Sequence, residues 1–355
     1  MKIAPLVRAI DRRNRTDRRN RINFRIVHAG QHYDEEMSKV FFEEFDIPEP
    51  DYLLNGGSGS HAGQTAKVML EFEKVCLTEK PDIVVVVGDV NSTLACSITA
   101  KKLAIQVAHV EAGLRSGDRS MPEEINRIVT DSISDYLFVT EKSGIENLKR
   151  EGKDETSIYF TGNIMIDTLY DCLNKLKRLQ ADRQTVPRGP YAVVTLHRPS
   201  NVDDKEKLKA ILKALKEISR DMDLFFPIHP RTQKNMERFR LGNLLNHSNI
   251  KFMAPMSYLQ FLGLWKDAAL VLTDSGGIQE ETTVLGIPCF TIRDNTERPV
   301  TIKKGTNVLV GTTGKGILKA YREFKKGGRK KGKIPELWDG KTAERIVNIL
   351  VKGER

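Results

Sequence analysis

Three acidic side chains follow apolar segments that have the composition of β-strands. Asp89 follows Ile83–Val87, Glu111 follows residues 106–110, and Glu123 lies in the loop after that second segment. In an open parallel α/β sheet, ligands bind at the edge formed by the carboxyl ends of the strands, so we expect these carboxylates to converge there. Carboxylates held together raise one another's pKa, which suits general acid or base work near neutral pH. A helix cap or a surface charge is the alternative role for each acid taken alone.

Two further polar side chains, His197 and Arg198, follow the predicted strand 191–195 in the second half of the chain. They occupy the strand end that corresponds to the position of the acids in the first half. We therefore expect them to face the acids across a cleft between two domains. His229 also follows a predicted strand, and both a ligand contact and simple loop packing fit its position.

A different kind of site is indicated by Leu270–Glu281, whose sequence is L-V-L-T-D-S-G-G-I-Q-E-E. The apolar residues predict a strand, Ser275–Gly277 predict a tight turn, and we expect a helix from Ile278 onward. The N–H groups at a helix N-terminus point outward with the positive end of the helix dipole behind them, which suits a phosphate or diphosphate. The glycines let a ligand approach the backbone. The alternative is a plain helix cap at Ser275 that binds nothing.

Arg298 supports the phosphate interpretation. It comes shortly after another apolar, strand-like segment, residues 288–292. In a parallel sheet this strand ends at the same edge as the glycine turn, so Arg298 would face the same ligand.

Strand-like and helix-like segments alternate along the chain, from a predicted helix that starts at Lys2–Ala9 to one at Trp338–Val351. This alternation predicts the α/β class, with two Rossmann-like, doubly wound parallel-sheet domains. We place the N-terminal domain at residues 1–165, with a terminal helix at 341–355 packing back on it, and the C-terminal domain at 166–340. A domain of this kind ordinarily begins with a strand, whereas this chain begins with a helix.

The composition indicates a soluble globular protein. The chain has 355 residues, of which 39% are hydrophobic and 29% charged, and it contains no apolar run long enough to span a membrane. Its four cysteines lack C-x-x-C spacing and have apolar neighbours, so we expect reduced packing residues in a cytoplasmic protein. His28, His32 and His61 fit no ligand pattern, and no metal site is expected.

The net charge of +10 raises the possibility of a nucleic-acid partner. Much of the excess lies in two basic stretches, residues 12–21 and 325–333. Neither has interleaved aromatic residues or accompanies a known nucleic-acid module, so we expect solvated surface and no nucleic-acid partner.

Four segments together resemble one known family. They are H-V-E-A-G-L-R-S at 109–116, M-P-E-E-I-N-R at 121–127, T-D-S-G-G-I-Q-E-E at 273–281 and R-D-N-T-E-R-P at 293–299. This combination resembles the non-hydrolysing UDP-N-acetylglucosamine 2-epimerases, in order and over essentially the whole chain. That family has the glycosyltransferase-B-like architecture of two Rossmann-like domains with the active site in the cleft, which agrees with the alternation of strands and helices.

The resemblance implies an isomerase that interconverts UDP-N-acetylglucosamine and UDP-N-acetylmannosamine without a cofactor or metal. The family eliminates UDP across C1–C2 to give 2-acetamidoglucal, then adds UDP back with a proton on the other face. This requires a base near C2, stabilisation of the departing diphosphate and a closed site. The resemblance also implies a cytoplasmic homodimer without a membrane partner, and a supply of amino sugars for surface polysaccharide.

The catalytic assignments are carried over from the motifs. Asp89, Glu111 and Glu123 are the acid and base candidates, and His197 would face the sugar and the diphosphate. Which acid takes the C2 proton stays open, because coupled carboxylates do not titrate as separate groups. Lys2 matches the lysine that follows the family's N-terminal Gly-Thr-Arg-Pro-Glu turn.

The resemblance makes the C-terminal domain the UDP-binding domain. Ser275, Gly276 and Gly277 would bind phosphate through backbone N–H groups, and Arg298 would add positive charge to the same nucleotide.

Three more residues are implied as contacts of the nucleoside. Glu281 would accept hydrogen bonds from the ribose hydroxyls. Phe261 falls where the family packs an aromatic side chain near the uracil, and Met256 falls where the backbone contacts it.

Two features depart from the family pattern. The Gly-Thr-Arg-Pro-Glu turn is absent ahead of Lys2, and with it the first strand and an arginine that contacts the nucleotide. We therefore expect the natural protein to start earlier, and a chain beginning at Met1 to be weakened or inactive. The Gln-His-Arg-x-Met segment of the bacterial allosteric site is replaced by Gln31–Met37, which is two residues longer and lacks the arginine. This argues against allosteric regulation.

Other functions fit parts of the same pattern. One is a C2 epimerase for a related sugar such as UDP-2,3-diacetamido-2,3-dideoxyglucuronate, since the glycine-rich loop at 56–61 suits either sugar. Another is a UDP-sugar glycosyltransferase of the same architecture, which would bind UDP-sugar without C2 exchange when no acceptor is present. A basic nucleic-acid-binding protein is the non-enzyme alternative, and its binding would depend strongly on salt.

Overall fold

The computed structural model describes residues 1–30, 42–57, 59–179 and 189–353. The chain divides into two compact units. The first unit contains Met1–Tyr170 and Glu336–Arg355, and the second contains Asp171–Pro335. Each unit combines helices with parallel strands, so the predicted class of two Rossmann-like parallel-sheet domains is confirmed.

In chain order, the α-helices that lie wholly within the described residues are α1 Ile3–Thr16, α2 His61–Glu79, α3 Asn91–Lys102, α4 Pro122–Ile133, α5 Lys142–Arg150, α6 Ile164–Arg178, α7 Pro199–Val202, α8 Lys205–Ile218, α9 Pro230–Arg238, α10 Tyr258–Trp265, α11 Gly276–Leu285, α12 Pro299–Lys303, α13 Gly314–Lys325 and α14 Thr342–Gly353. The strands are β1 Val27–His28, β2 Tyr52–Leu53, β3 Ile83–Val87, β4 Gln106–Ala112, β5 Tyr136–Val139, β6 Ile158–Phe160, β7 Tyr191–Thr195, β8 Asp223–Pro227, β9 Ile250–Met253, β10 Leu270–Thr273, β11 Cys289–Thr291 and β12 Asn307–Leu309.

The first unit contains two parallel sheets. Strands β3, β4, β5 and β6 pair in that order, and β1 pairs separately with β2. All of β5 and all but the first residue of β4 are buried, as expected for apolar strands inside a parallel sheet. β3 lies at the edge of the four-stranded sheet, where Val85 is 38% exposed. The carboxyl ends of β3 and β4 lie side by side, which brings Asp89 and Glu111 to the same edge.

The second unit contains one six-stranded parallel sheet in the order β12–β11–β10–β7–β8–β9. The chain builds outward from β7 to β9, then returns to pair β10 with β7 and builds outward on the other side. The strand order therefore reverses between β7 and β10. In open α/β sheets, such a reversal leaves a crevice at the carboxyl ends of the two strands where ligands bind.

Several predicted boundaries differ from the structure. α1 continues to Thr16, and α11 begins at Gly276, two residues before the predicted start at Ile278. The terminal helix α14 begins at Thr342 and not at Trp338. Trp338 lies before the helix and is 1% exposed, and its indole N–H donates to the Thr140 carbonyl oxygen at 2.9 Å.

In the part of the chain that the structure describes, no helix has both the length and the apolar composition needed to cross a membrane.

Candidate active site

Glu111 has an unusual backbone conformation at the carboxyl end of β4. The register between β4 and β5 shifts between Val110 and Ala112, so Glu111 is the extra residue of a bulge. Its φ angle is +75°, in the left-handed region that favours glycine, and the residue is 3% exposed. Strain of this kind is concentrated at functional sites, and bulges beside active sites re-aim side chains. The structure thus singles out one of the three predicted acids.

Lys2 connects Glu111 to the turn that carries Asp89. Its Nζ atom lies 2.6 Å from Glu111 Oε2. The same Nζ atom lies 3.0 Å from the position a Cβ would take at Gly88, where φ is +77°. Gly88 thus suits both a left-handed turn and the close approach of the ammonium group. Lys2, Glu111 and the residue before Asp89 are therefore neighbours in the first unit.

Asp89 is paired with an arginine that the sequence analysis did not select. Arg127, on α4, forms an ion pair with Asp89 and a second one with Glu124, whose Oε2 lies 2.6 Å from Arg127 Nη2. Arg127 is 2% exposed, whereas the Asp89 side chain is 35% exposed. Asn126 Nδ2 also donates to the Asp89 carbonyl oxygen at 2.9 Å. α4 therefore orients Asp89 and leaves part of its carboxylate accessible.

The adjacent glutamates of α4 have different surroundings. Glu124 is buried and accepts hydrogen bonds from the backbone N–H groups of Ser116 and Gly117 at 3.0 and 2.9 Å. Burial favours its neutral form, but these bonds and Arg127 outweigh burial and lower the pKa of Glu124. Glu123, the predicted catalytic residue, is exposed in the first turn of the helix. Glu124 therefore fixes the preceding loop, and Glu123 is the one that solvent can reach.

A buried carboxylate, Asp131, lies at the carboxyl end of β4. Its Oδ1 lies 2.6 Å from His109 Nδ1, and its Oδ2 accepts from the Gly113 N–H at 3.0 Å and from Arg115 Nη1 at 2.7 Å. Burial favours the neutral acid, but His109 and Arg115 outweigh burial and lower the pKa of Asp131. The buried charge of Asp131 is tolerated because His109, Gly113 and Arg115 all contact its carboxylate.

The second unit has an aspartate–histidine pair at the point where the strand order reverses. Asp274 follows β10 and is fully buried, and His197 follows β7. His197 Nδ1 lies 3.0 Å from Asp274 Oδ1, and the backbone N–H groups of His197 and Arg198 also donate to this carboxylate. Burial favours neutral Asp274, but these donors outweigh burial and lower its pKa. The pair fixes the imidazole orientation, with the His197 side chain 38% exposed.

His229 lies beside this pair. Its ring centroid is 5.7 Å from that of His197, and its Nδ1 accepts a hydrogen bond from the Arg231 N–H at the start of α9. Burial, followed by the charge of His197, lowers the pKa of His229. His229 thus caps a helix and also contributes to the surroundings of His197.

The glycine turn forms the first turn of α11. Ser275 has the extended backbone of an N-cap, yet its side chain makes no capping hydrogen bond. The helix therefore begins with Gly276 and Gly277 and with N–H groups that the Ser275 side chain does not cap. The prediction of a separate tight turn at Ser275–Gly277 is wrong, because Gly276 and Gly277 are already helical. The predicted N–H donors of the helix N-terminus are nevertheless present where the strand order reverses.

Charged side chains are buried behind this helix start. Arg298 is 8% exposed and its Nε lies 2.7 Å from Glu280 Oε1. Arg293 Nη2 lies 2.8 Å from Glu297 Oε2. Burial opposes ionisation of Glu297, but Arg298 and Arg293 outweigh burial and lower its pKa to about 2. Arg298 is therefore held within an internal network close to the predicted phosphate site.

Glu281 is 2% exposed and lies on α11. Its Oε1 accepts a hydrogen bond from the Tyr258 hydroxyl group at 2.5 Å. Burial raises the pKa of Glu281 to about 8, the Tyr258 hydrogen bond opposes this shift, and the nearby Glu280 adds to it. The two other predicted nucleoside contacts, Met256 and Phe261, lie before and on α10 and are half-buried.

Two residues of this site that the sequence analysis did not select, Arg127 and Asp131, share one signal. Arg127 and Asp131 lie three and seven residues after Glu124, which places all three on one face of α4. That face is buried and polar. The sequence signal was the helical spacing of these charged residues directly after Glu123, which the sequence analysis had selected.

Some predicted features lie outside the described residues. His32 and the rest of Gln31–Met37 fall within the segment 31–41, which the structure does not describe. Among the residues it does describe, no group of three or more His, Cys, Asp or Glu side chains has the arrangement of a metal site.

The raised pKa of Glu281 predicts a pH-dependent stability. Its folded-state pKa of about 8 exceeds the ordinary value of 4.5, so the stabilisation from the bound proton is complete below about pH 4.5 and is lost as the pH rises toward 8. Relative to Glu281→Gln, the wild-type free energy of unfolding should fall by about 1.4 kcal/mol per pH unit in this window. Urea unfolding across the window measures the difference.

Glu217→Gln is the matched control for this measurement, because the Glu217 side chain lies in the same unit and is 50% exposed. Its difference from the wild type should change little with pH. A constant difference between wild type and Glu281→Gln would contradict the prediction.

The sequence matches proteins of known family over nearly its whole length. A profile of the family described as UDP-N-acetylglucosamine 2-epimerase matches residues 14–351. A UDP-N-acetylglucosamine 2-epimerase from Methanocaldococcus jannaschii is 46% identical, and the alignment covers 100% of this chain and 96% of that protein. A UDP-2,3-diacetamido-2,3-dideoxy-D-glucuronate 2-epimerase from Pseudomonas aeruginosa is 41% identical over 92% of this chain and 91% of that protein.

Solved structures agree with the sequence matches. The crystal structure of the M. jannaschii UDP-GlcNAc 2-epimerase in complex with UDP-GlcNAc and UDP has a TM-score of 0.89 at 46% identity, covering 99% of this chain and 96% of that one. The Neisseria meningitidis enzyme bound to UDP-GlcNAc has a TM-score of 0.87 at 29% identity, with 99% and 96% coverage. The glycosyltransferase-B-like class is thereby confirmed. The chain belongs to the UDP-N-acetylglucosamine 2-epimerase family and is an isomerase.

Proposed function

We propose that this enzyme interconverts UDP-N-acetylglucosamine and UDP-N-acetylmannosamine by inverting C2. The observation that carries the proposal is the strained, buried Glu111 at the strand edge shared with Asp89. An isomerase that inverts a carbon must remove a proton from one face and deliver one to the other, which calls for more than one acid or base. Asp89, Glu111 and the exposed Glu123 supply such groups.

The proposed reaction proceeds by elimination and addition. A carboxylate takes the C2 proton, the C2–H electron pair forms the C1=C2 double bond, and the C1–O bond breaks with its electrons leaving on UDP. UDP then attacks C1 of 2-acetamidoglucal while C2 receives a proton on the opposite face. No atom is gained or lost, and no external oxidant or reductant is required.

The second unit would hold the nucleotide. The uncapped start of α11, with Gly276 and Gly277, offers N–H donors for the diphosphate, and His197 is oriented beside it by Asp274. We assign Ser275 and Arg298 to the same diphosphate site. Donors that are already oriented stabilise the charge on departing UDP without reorganising during the reaction.

Three nucleoside contacts complete the proposal. Glu281 would accept the ribose hydroxyls, and Met256 and Phe261 would lie against the uracil. The Tyr258 hydroxyl group that now donates to Glu281 would have to share or release that carboxylate when the ribose binds.

One relative favours a second substrate. The Pseudomonas aeruginosa protein of 41% identity is named for UDP-2,3-diacetamido-2,3-dideoxy-D-glucuronate. The 46% identity to the M. jannaschii enzyme, aligned over the full chain, supports UDP-N-acetylglucosamine as the first choice. Both proposals use the same C2 chemistry and differ only in the sugar.

The test is proton NMR of UDP-N-acetylglucosamine incubated with the enzyme in D2O. We expect loss of the C2 proton signal and growth of manno resonances carrying deuterium at C2. Asp89→Asn, Glu111→Gln and Glu123→Gln should each slow the exchange by about 10² or more, the usual contribution of a positioned acid or base. His197→Asn should slow it too, while the exposed Glu146→Gln on α5 is the matched control and should not.

Different failures separate the alternatives. Exchange only with the diacetamido-glucuronate sugar would replace the substrate and keep the chemistry. UDP-sugar binding without C2 exchange in any substrate would contradict the epimerase proposal and favour a glycosyltransferase.

We further propose that the enzyme is a homodimer, as the family resemblance implies. Two leucines on α2, Leu70 and Leu77, are 63% and 59% exposed, and we expect a second copy to cover them. Light scattering should give twice the chain mass, and the double variant Leu70→Glu with Leu77→Glu should have half the wild-type mass. A monomeric wild type would refute the dimer.

We also propose that the enzyme supplies amino sugars for surface polysaccharide. Unchanged surface glycan in a strain lacking the enzyme would refute this pathway role.

A further inference from the structure

The left-handed conformation of Glu111 requires support from its surroundings. A non-glycine residue with φ of +75° is strained, and such strain persists only where neighbouring contacts fix the backbone on both sides. The ion pair with Lys2 holds the end of the side chain but not the backbone. The question is which residue holds the chain before and after Glu111.

Asp131 makes contacts on both sides. Before Glu111, the ring of His109 places Nδ1 2.6 Å from Asp131 Oδ1. After Glu111, the Gly113 N–H donates to Asp131 Oδ2 at 3.0 Å, and Arg115 Nη1 lies 2.7 Å from the same oxygen. One carboxylate on α4 therefore holds positions two before, two after and four after the strained residue.

The same network reaches the turn that carries Asp89. The other ring nitrogen of His109, Nε2, donates to the Gly88 carbonyl oxygen at 2.8 Å. Both His109 and Asp131 are fully buried, so no solvent competes for these bonds. Asp131 is thus linked to both strand ends that present a predicted catalytic acid.

We propose that Asp131 is a positioning residue that holds Glu111 in its left-handed conformation and, through His109, fixes the turn before Asp89. The catalytic part of this proposal rests on the proposed function, whereas the conformational part does not. Asp131 acts only through the residues it contacts, since it is fully buried beneath them.

The chain offers a matched control in Asp135. Its Oδ2 accepts from the Val107 N–H at 2.7 Å, and Lys101 Nζ lies 2.8 Å from its Oδ1. Asp135 therefore holds the start of the same strand, β4, with a backbone bond and a cation, at the end away from Glu111. Losing it should affect stability without changing the geometry of the acids.

The first experiment compares Asp131→Ala with Asp135→Ala in steady-state C2 exchange. We expect Asp131→Ala to lower kcat by about tenfold or more, the range by which misplaced catalytic groups reduce rates, with KM and UDP affinity within about twofold of the wild type. Asp135→Ala should keep kcat within about twofold. Asp131→Asn should recover most of the rate, because its amide oxygen can accept from Gly113 while its NH₂ group faces His109.

The second experiment is the crystal structure of Asp131→Ala, which does not depend on activity. We expect Glu111 to move to a negative φ. Should this variant fail to fold, His109→Leu takes its place, because it removes one side of the support and leaves Gly113 and Arg115 on Asp131. For His109→Leu we expect a reduced kcat, unchanged UDP affinity and a shifted Glu111.

Each outcome has a defined meaning. Wild-type kcat in the folded Asp131→Ala or His109→Leu variant, an equal loss in Asp135→Ala, or a Glu111 that stays left-handed would overturn the proposal. A wild-type enzyme without exchange would instead refute the proposed function, and the Glu111 conformation would still decide whether Asp131 supports it.

Discussion

Each unit depends on a buried aspartate that binds the loops at the carboxyl edge of its sheet. Asp131 holds His109, Gly113 and Arg115 in the first unit, and Asp274 holds the backbone and ring of His197 in the second. A carboxylate removed from water is unfavourable unless charged or hydrogen-bond donors surround it. Both aspartates are so surrounded, and in both the donors lower the pKa in spite of burial. The polar groups at the sheet edges therefore have fixed positions before any ligand binds.

The two edges differ in charge and therefore in chemistry. The first unit presents carboxylates, of which Glu111 is paired with Lys2 and Asp89 with Arg127. Carboxylates can act as general acids and bases toward carbon when water is excluded and their positions are fixed. The second unit presents helix N–H donors, an oriented histidine and buried arginines, which suit an anion. A reaction that breaks a bond to a diphosphate while moving a proton on carbon needs both kinds of surface.

The sequence was sufficient for the most apolar strands, and it predicted candidate site residues after their carboxyl ends. Buried parallel strands are continuous apolar runs, so β3, β4, β7 and β10 were visible, and the residue after each strand falls at the ligand edge. The spacing of Glu124, Arg127 and Asp131 indicated a polar face of α4 but not its burial, because a solvent-exposed polar stripe has the same spacing. Hydropathy does not distinguish the two.

The left-handed Glu111 was equally inaccessible from the sequence. In a sequence, a positive φ is usually signalled by glycine. Here the residue with the positive φ is a glutamate on a strand, and the contacts around it come from Asp131 on a helix. The start of α11 was misplaced by two residues for a related reason, since glycines are ambiguous between a turn and the first positions of a helix.

The central claim is a division of labour, in which the second unit holds the nucleotide and the first performs proton transfer. Titration calorimetry of UDP against two variants tests it most directly. Glu111→Gln should bind UDP within about twofold of the wild type, whereas Glu281→Ala should bind it at least about tenfold more weakly, because the ribose hydroxyls would lose the buried hydrogen-bond partner that we assign to them. The reverse pattern, with UDP affinity lost in Glu111→Gln and kept in Glu281→Ala, would contradict the account.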